Sequence, residues 1–320
     1  MSTLMMTGAG GVLGRALIEQ LNTNRGKELF DKIFLITTDP SKWDLPDRYE
    51  IVKEDLLRED CAGGLMKRCR PEKLVHLAWD QTTEDYKNSD RNQDWLNAST
   101  RLLYAFAENG GRQFLFASSK AVYDGKSGRM RETDADPRRA GTPASAYGRA
   151  KLSFEKAAAE FLREMQNQKT SGEQEPLVIS LPRFFTIYGP GDRHSYGAIP
   201  SAFERMMRYQ EVYVRTPLAK MDYVYSMDAA KCILDMLESE TGGCVNIGTG
   251  EPLRMKDVFT DAAKQLGLEM LLEFSDSKDK PLMSADTGRM EALGLFCPTS
   301  FEKGIRETAK WYKKNAEGKK

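Results

Sequence analysis

Two side chains four residues apart, Tyr147 and Lys151 in "YGRAK", have the types and spacing for proton transfer. A helix would carry both on one face. A phenol with a pKa of about 10 is a poor base near neutrality, and a neighbouring ammonium favours the phenolate and lowers that value. Tyr147 would then move a proton to or from a substrate oxygen. A third group is needed to hydrogen-bond that oxygen. "FLFASSKAVYDG" offers Ser118 and Ser119 at the end of an apolar run. Taken alone, the spacing is weak evidence, and the serines read as strand-end caps.

The case strengthens at the N-terminus. "MMTGAGGVLGRALIEQL" places Gly8, Gly11 and Gly14 after an apolar strand and at the opening of an amphipathic helix, with Val12 and Leu13 inside the turn. One glycine permits the tight turn, one lets the backbone approach a pyrophosphate, and one lets the helix pack close to the sheet. The helix N-terminus supplies unpaired N–H groups to the phosphates. This predicts a dinucleotide cofactor, NAD or NADP, whose nicotinamide moves a hydride while Tyr147 moves the proton. The second strand ends "LITTDP". Asp39, 25 residues beyond Gly14, would favour NAD by meeting the ribose 2′-hydroxyl, whereas Thr37 in that place would tolerate the 2′-phosphate of NADP. Asp55, in "VKEDLL", either reaches the adenine or caps the next turn.

The elements that must position these groups alternate. "TLMMTG", "KIFLITTD", "YEIVKED", "KLVHLAW", "QFLFASS" and "PLVISLPRFF" read as buried strands, with helical patterns such as Val12 to Leu21 and Asp94 to Asn109 between them. That alternation predicts an α/β fold with a doubly wound parallel Rossmann sheet. The expected division is a cofactor-binding domain over 1–186, to which 222–250 returns, and a smaller C-terminal substrate-binding lobe built mainly from 187–320. "QNQKTSGEQEP" reads as a surface loop, "KWYKKN" as part of a terminal amphipathic helix, and "AEGKK" as a frayed end.

Forty-seven basic residues balance forty-seven acidic ones, so no net field favours nucleic acid or an anionic membrane. The N-terminal residues lack a signal-peptide pattern and no run of about 18 apolar residues occurs, which predicts a cytoplasmic protein with no membrane partner. The five cysteines, Cys61, Cys69, Cys232, Cys244 and Cys297, are scattered without metal-ligand spacing and read as free thiols. With His76 and His194 the only histidines, no multi-histidine metal centre is expected.

From end to end the chain resembles the extended short-chain dehydrogenase/reductases that act on nucleotide sugars. The resemblance is carried by "TGAGGVLG", "DLL", "HLAW", Asn97 in "WLNAST", "ASSKAVYDG", "YGRAK", "PRFFTIYGPGD", "DYVYSMDAA", "NIGTGE" and "ALGLFCPTSFEKGIRETAKWY". It implies a catalytic set of Ser119, Tyr147 and Lys151. The implied cofactor contacts are Gly8, Gly11, Val12, Leu13, Gly14, Asp39, Asp55, Leu56, Leu77, Ala78 and Asn97, with Tyr147 and Lys151. The implied substrate contacts are Trp79, Ser118, Lys120, Thr186 and Arg215. Many members carry an arginine before the aspartate of "DYVY"; Met221 stands there, leaving Arg215 or Lys220 as substitutes or as plain surface charges. Relatives pair two helices across a two-fold axis, and the broad apolar stripes of Asp94 to Asn109 and Tyr147 to Leu162 fit such a homodimer.

The family's dehydratases follow the catalytic Ser/Thr with Asp-Glu, whereas Lys120 and Ala121 follow Ser119 here, so elimination lacks its carboxylates. The Glu of the decarboxylating relatives is missing here too, and so is the Cys/His pair of the epimerases similar to GDP-fucose synthase, with no Cys near Ser119 and His194 beyond the expected place. Reduction of a 4-keto sugar and 4-epimerisation need only Ser, Tyr, Lys and nicotinamide. "VYDGKSGRMRETDADPRRAGTPASAYGRAKL" is similar to the matching region of dTDP-4-dehydrorhamnose reductases, which favours the 4-keto-sugar reductase over the 4-epimerase. A dinucleotide-binding sensor without turnover is a third reading, disfavoured by the intact Ser, Tyr and Lys.

Overall fold

In the computed structural model, described for residues 2–135, 143–168, 176–194 and 196–317, the six expected strands and a seventh from the returning segment form one parallel sheet. They are β1 (Thr3–Thr7), β2 (Lys32–Thr37), β3 (Tyr49–Lys53), β4 (Lys73–His76), β5 (Gln113–Phe116), β6 (Val178–Phe184) and β7 (Gly243–Ile247). Their spatial order is β7-β6-β5-β4-β1-β2-β3, every neighbouring pair parallel. The order reverses between β1 and β4, and such a switch point opens a crevice at the strands' carboxyl ends.

Successive strand residues face opposite sides of the sheet. Leu4, Met6, Ile33, Leu35, Val75 and Leu115 therefore join one apolar layer, and Met5, Phe34, Ile36, Leu74, Phe114 and Phe116 the other. Burial of both faces is why these strands read as continuous apolar runs. The first layer is covered by α1 (Val12–Leu21) and by Ser226–Glu238; the second is covered by α2 (Cys61–Cys69), α3 (Arg91–Glu108) and α4 (Ala146–Gln168). A third cluster forms from the helices Ala198–Met207, Met255–Leu266 and Phe301–Glu317, the last being the terminal amphipathic helix expected around "KWYKKN". The "QNQKTSGEQEP" stretch begins as the last turn of α4, and 169–175 lie outside the described residues, as do 318–320 of the tail. All five cysteines are free, and no group of three or more His, Cys, Asp or Glu among the described residues could hold a metal. No helix among them is long and apolar enough to cross a membrane.

At the switch point His76 ties β4 to β1 and α3. Its Nδ1 lies 2.7 Å from Thr7 Oγ1 and its Nε2 2.8 Å from Ser99 Oγ. The Ser99 hydroxyl donates to the Trp95 carbonyl and so accepts from Nε2–H, while the Thr7 oxygen accepts the Ala78 N–H and its hydroxyl donates to Nδ1. The imidazole is thus neutral in one tautomer. Burial, followed by the Lys151 charge, pulls its pKa down to about 3. The unfolded chain, with the usual value of about 6.5, binds more protons between these limits, so stability is lost as pH falls through that window. A urea midpoint that drops between about pH 7 and about pH 5 is expected, by up to about 1.4 kcal/mol per pH unit from this group, with a shallower drop in His76→Asn.

Candidate active site

A cleft of about 1090 Å³ opens over the carboxyl ends of the strands and contains both the glycine turn and the Tyr/Lys pair. At its base Gly8 turns with φ +72°, and a Cβ there would lie 2.5 Å from the Ala78 nitrogen. A Cβ on Gly14 would lie 2.4 Å from the Gly8 carbonyl, so α1 packs this closely only with glycine. Gly10 and Gly11 have no such crowding. Nothing lies within 4 Å of a Cβ on Gly10, and Gly11 caps α1 without a side-chain cap bond. The first turn carries no acidic side chain. Open backbone, unpaired helix N–H groups and no opposing carboxylate suit a pyrophosphate. Val12, Leu13, Thr37, Thr38, Asp55, Leu56, Leu77 and Ala78 continue the wall, so the residues fit a dinucleotide.

The catalytic candidates converge beyond this cradle. Ser145 Oγ accepts the Gly148 N–H at 3.0 Å and starts α4. Gly148 brings the helix against the turn after Ser119, since a Cβ would sit 2.2 Å from the Ala121 carbonyl oxygen. Tyr147 N–H donates to the Lys87 carbonyl at 2.8 Å, which anchors the 81–88 loop over the site. Tyr147 is 7% exposed, and the Ser119 and Gln81 side chains lie near enough to its hydroxyl to act on its pKa. Tyr86 packs edge-on to Tyr147 at 5.7 Å and to His194 at 5.2 Å.

The charge state differs from the sequence expectation. Burial pushes the Tyr147 phenol up, helped by Tyr86 and opposed by the Ser119 and Gln81 side chains. Burial also pulls Lys151 well down, against the Glu155 charge. Lys151 Nζ donates to the Ala117 carbonyl at 2.8 Å and lies 3.9 Å over Trp79 and 4.3 Å over Phe116. It is 5.6 Å from the Tyr147 ring centre, and the charges that act on the phenol are those of Tyr86 and Asp124, both raising its pKa.

Trp79, Lys120 and Thr186 also line the cleft, and the Thr186 hydroxyl is buried without a partner. Ser118 lines it too, but its hydroxyl donates at 2.5 Å to Glu155 on the interior side. Three expected residues lie elsewhere. Asp39 is absent from the cleft wall because its carboxylate accepts from the Ser41 N–H and hydroxyl, capping the turn Pro40–Lys42. Asn97 is exposed on α3 and accepts from Gln93. Arg215 is exposed and off the cleft. Asp55 lines the cleft and also caps its own turn through the Leu57 N–H. Sequence reasoning passed over Gly10, Gln81, Tyr86 and Lys87; only the extra glycine in "TGAGG" carried any signal.

Residues 4–248 match the model of the "NAD dependent epimerase/dehydratase family". A Bacillus subtilis (strain 168) protein described as "Uncharacterized UDP-glucose epimerase YtcB" is 27% identical over 298 residues, which is 85% of each chain. The fold is similar to that of the UDP-glucose 4-epimerase from Thermus thermophilus in complex with NAD, at TM-score 0.80 and 21% identity over 97% of this chain and 99% of that one. It is also similar to a UDP-N-acetylglucosamine 4-epimerase from Methanobrevibacter ruminantium M1, at TM-score 0.82 and 22% identity over 98% and 99%.

Tyr147→Phe keeps the ring contacts and removes the hydroxyl. Turnover by hydride transfer is expected to fall roughly 10²- to 10⁴-fold with the thermal midpoint and cofactor retention unchanged, measured by steady-state kinetics beside a melting curve.

Proposed function

The chain belongs to the NAD dependent epimerase/dehydratase family, and we propose that within it the protein interconverts nucleotide sugars at C4 through a 4-keto intermediate. The observation that carries this reading is the Ser119–Tyr147 pair facing the glycine cradle within one cleft, followed by Lys120 and Ala121. The two residues after Ser119 are not the Asp-Glu pair that would drive elimination, which favours oxidoreduction at a carbinol. The sequence-similar relative described as a UDP-glucose epimerase supports epimerisation, and the similar fold of a UDP-glucose 4-epimerase in complex with NAD supports the 4-position and NAD as coenzyme.

Bound NAD supplies the hydride acceptor and, after turnover of the ketose, the donor. Tyr147, once its own proton has passed to solvent, would as phenolate accept the proton of the 4-hydroxyl. Ser119 Oγ would hydrogen-bond the same substrate oxygen as alkoxide and as carbonyl. Lys151, fixed by the Ala117 carbonyl and the Trp79 and Phe116 rings, would hold the nicotinamide ribose. Tyr86 and the Gly191–His194 segment cover Tyr147 and limit water. Tyr147 then returns its proton as the ketone is reduced on its other face.

The 4-keto-sugar reductase remains the second reading, favoured by "VYDG", where Asp124 N–H closes a turn onto Ala121 O and Gly125 has φ +92°. Part of the stretch behind that reading, 136–142, lies outside the described residues. Cofactor retention separates the two. We propose that the small lobe holds the sugar nucleotide. We also propose that α3 and α4 form a homodimer face, where Tyr104 is 39% exposed and packs against Phe161 with ring centres 4.7 Å apart and planes tilted by 35°.

Purified protein is expected to carry tightly bound NAD and to interconvert 4-epimers without net change in nicotinamide absorbance. Stoichiometric loss of added NADH or NADPH with a 4-keto-6-deoxy sugar nucleotide would instead establish the reductase. By light scattering a dimer is expected, with monomer appearing in Tyr104→Glu.

A further inference from the structure

This inference rests on the nucleotide-sugar reading and concerns which sugars the cleft takes. Lys120 follows Ser119 directly and lines the cleft, part-buried, with its ammonium 4.0 Å from the Met221 sulfur. A thioether is a weak acceptor. Among the described residues Lys120 forms no ion pair, and Met221 is its single side-chain hydrogen-bond partner. Burial lowers its pKa, and the charge of Lys87, another cleft residue, lowers it further. Asp124 and Asp222 lie near enough to oppose that effect but are engaged elsewhere. Asp124 accepts from the Ser145 hydroxyl. Asp222 accepts four bonds, from the Thr249 N–H and hydroxyl and from the N–H groups of Gly250 and Ala285.

Two like charges therefore share the region beside Ser119, and one of them is desolvated without an oxygen partner. Such a group is costly to bury and gains strongly from a charge-assisted bond to an arriving anion. If Ser119 and Tyr147 hold the C4 oxygen, as proposed above, Lys120, next in the chain and lining the same cleft, is placed to meet a substituent on an adjoining ring carbon. We infer that Lys120, assisted by Lys87, binds a carboxylate on the sugar at C5, and that the preferred substrate is a nucleoside diphosphate uronic acid.

The test is titration calorimetry on the NAD-loaded protein. Glucose and glucuronate linked to the same nucleoside diphosphate are compared, with uridine, thymidine and guanosine in turn, beside the bare nucleoside diphosphates. The wild type is expected to bind the uronate about 10- to 100-fold tighter than its glucose counterpart in the series it accepts. Lys120→Met should abolish that ratio, Lys120→Arg should keep most of it, and neither should change affinity for the bare nucleoside diphosphate. Equal affinity for glucose and glucuronate in the wild type overturns the inference and leaves the C4 reading standing. If Lys120→Met weakens the bare nucleoside diphosphate as much as the uronate, Lys120 serves the diphosphate and the inference is again overturned. Failure of every nucleotide to bind removes the nucleotide-sugar reading itself, and this inference with it.

Discussion

The site depends on one buried ion pair. Arg183, in β6, meets Glu155, in α4, at 3.0 Å through Nε and at 2.5 Å through its second terminal nitrogen, with both side chains nearly inaccessible. Removing two charges from water is expensive, and their attraction offsets that cost only with good geometry and saturated hydrogen bonding. Saturation is met. Arg183 also donates to the Tyr123 hydroxyl and to the carbonyls of Glu132 and Ala135, and Glu155 also accepts from Ser118 and the Cys244 thiol. Tyr123 passes the chain on to Asn246 in β7. Loss of one partner from such a pair costs about 3–5 kcal/mol, whereas an apolar replacement of both is often tolerated. The network therefore argues for a specified geometry more than for raw stability.

That geometry is the site. Tyr147, Lys151 and Glu155 are spaced i, i+4, i+8 and share one face of α4. Clamping Glu155 to β6 turns the whole face toward the strand ends, and Ser118, bonded to Glu155, sets the backbone from which Ser119 points into the cleft. The same burial that fixes Tyr147 and Lys151 discourages their charged forms. Burial therefore favours the protonated phenol at Tyr147.

The sheet was legible because its strands are buried on both faces and leave uninterrupted apolar runs, and because backbone crowding at Gly8 and Gly14 admits one residue type. Tyr147 and Lys151 were legible because helical spacing is independent of the rest of the fold. Asp39, Asn97 and Arg215 lie off the cleft wall for a different reason. A side chain's direction depends on local turns: Asp39 is captured by the Ser41 amide and hydroxyl two residues on. Glu155 and Arg183 gave no signal, because charged residues within an amphipathic helix and a strand read as solvent-facing until a partner distant in sequence is known.

Substrate choice then falls to residues outside the rigid parts. Arg183–Glu155 holds the catalytic helix, and Asp222, fully buried with four hydrogen bonds, pins the 249–250 turn and the strand Leu282–Ala285 next to Met221. Changes in either would disturb Ser119 or the cleft wall together with the fold. The side chains of Lys87, Lys120, Tyr86 and His194 carry no such burden: they line the cleft, and none belongs to either network. In this architecture the chemistry is set by what is buried and saturated. Specificity is set by what is left in the cleft with bonding capacity to spare, and among those groups an ammonium touching only sulfur has the most to gain from a ligand.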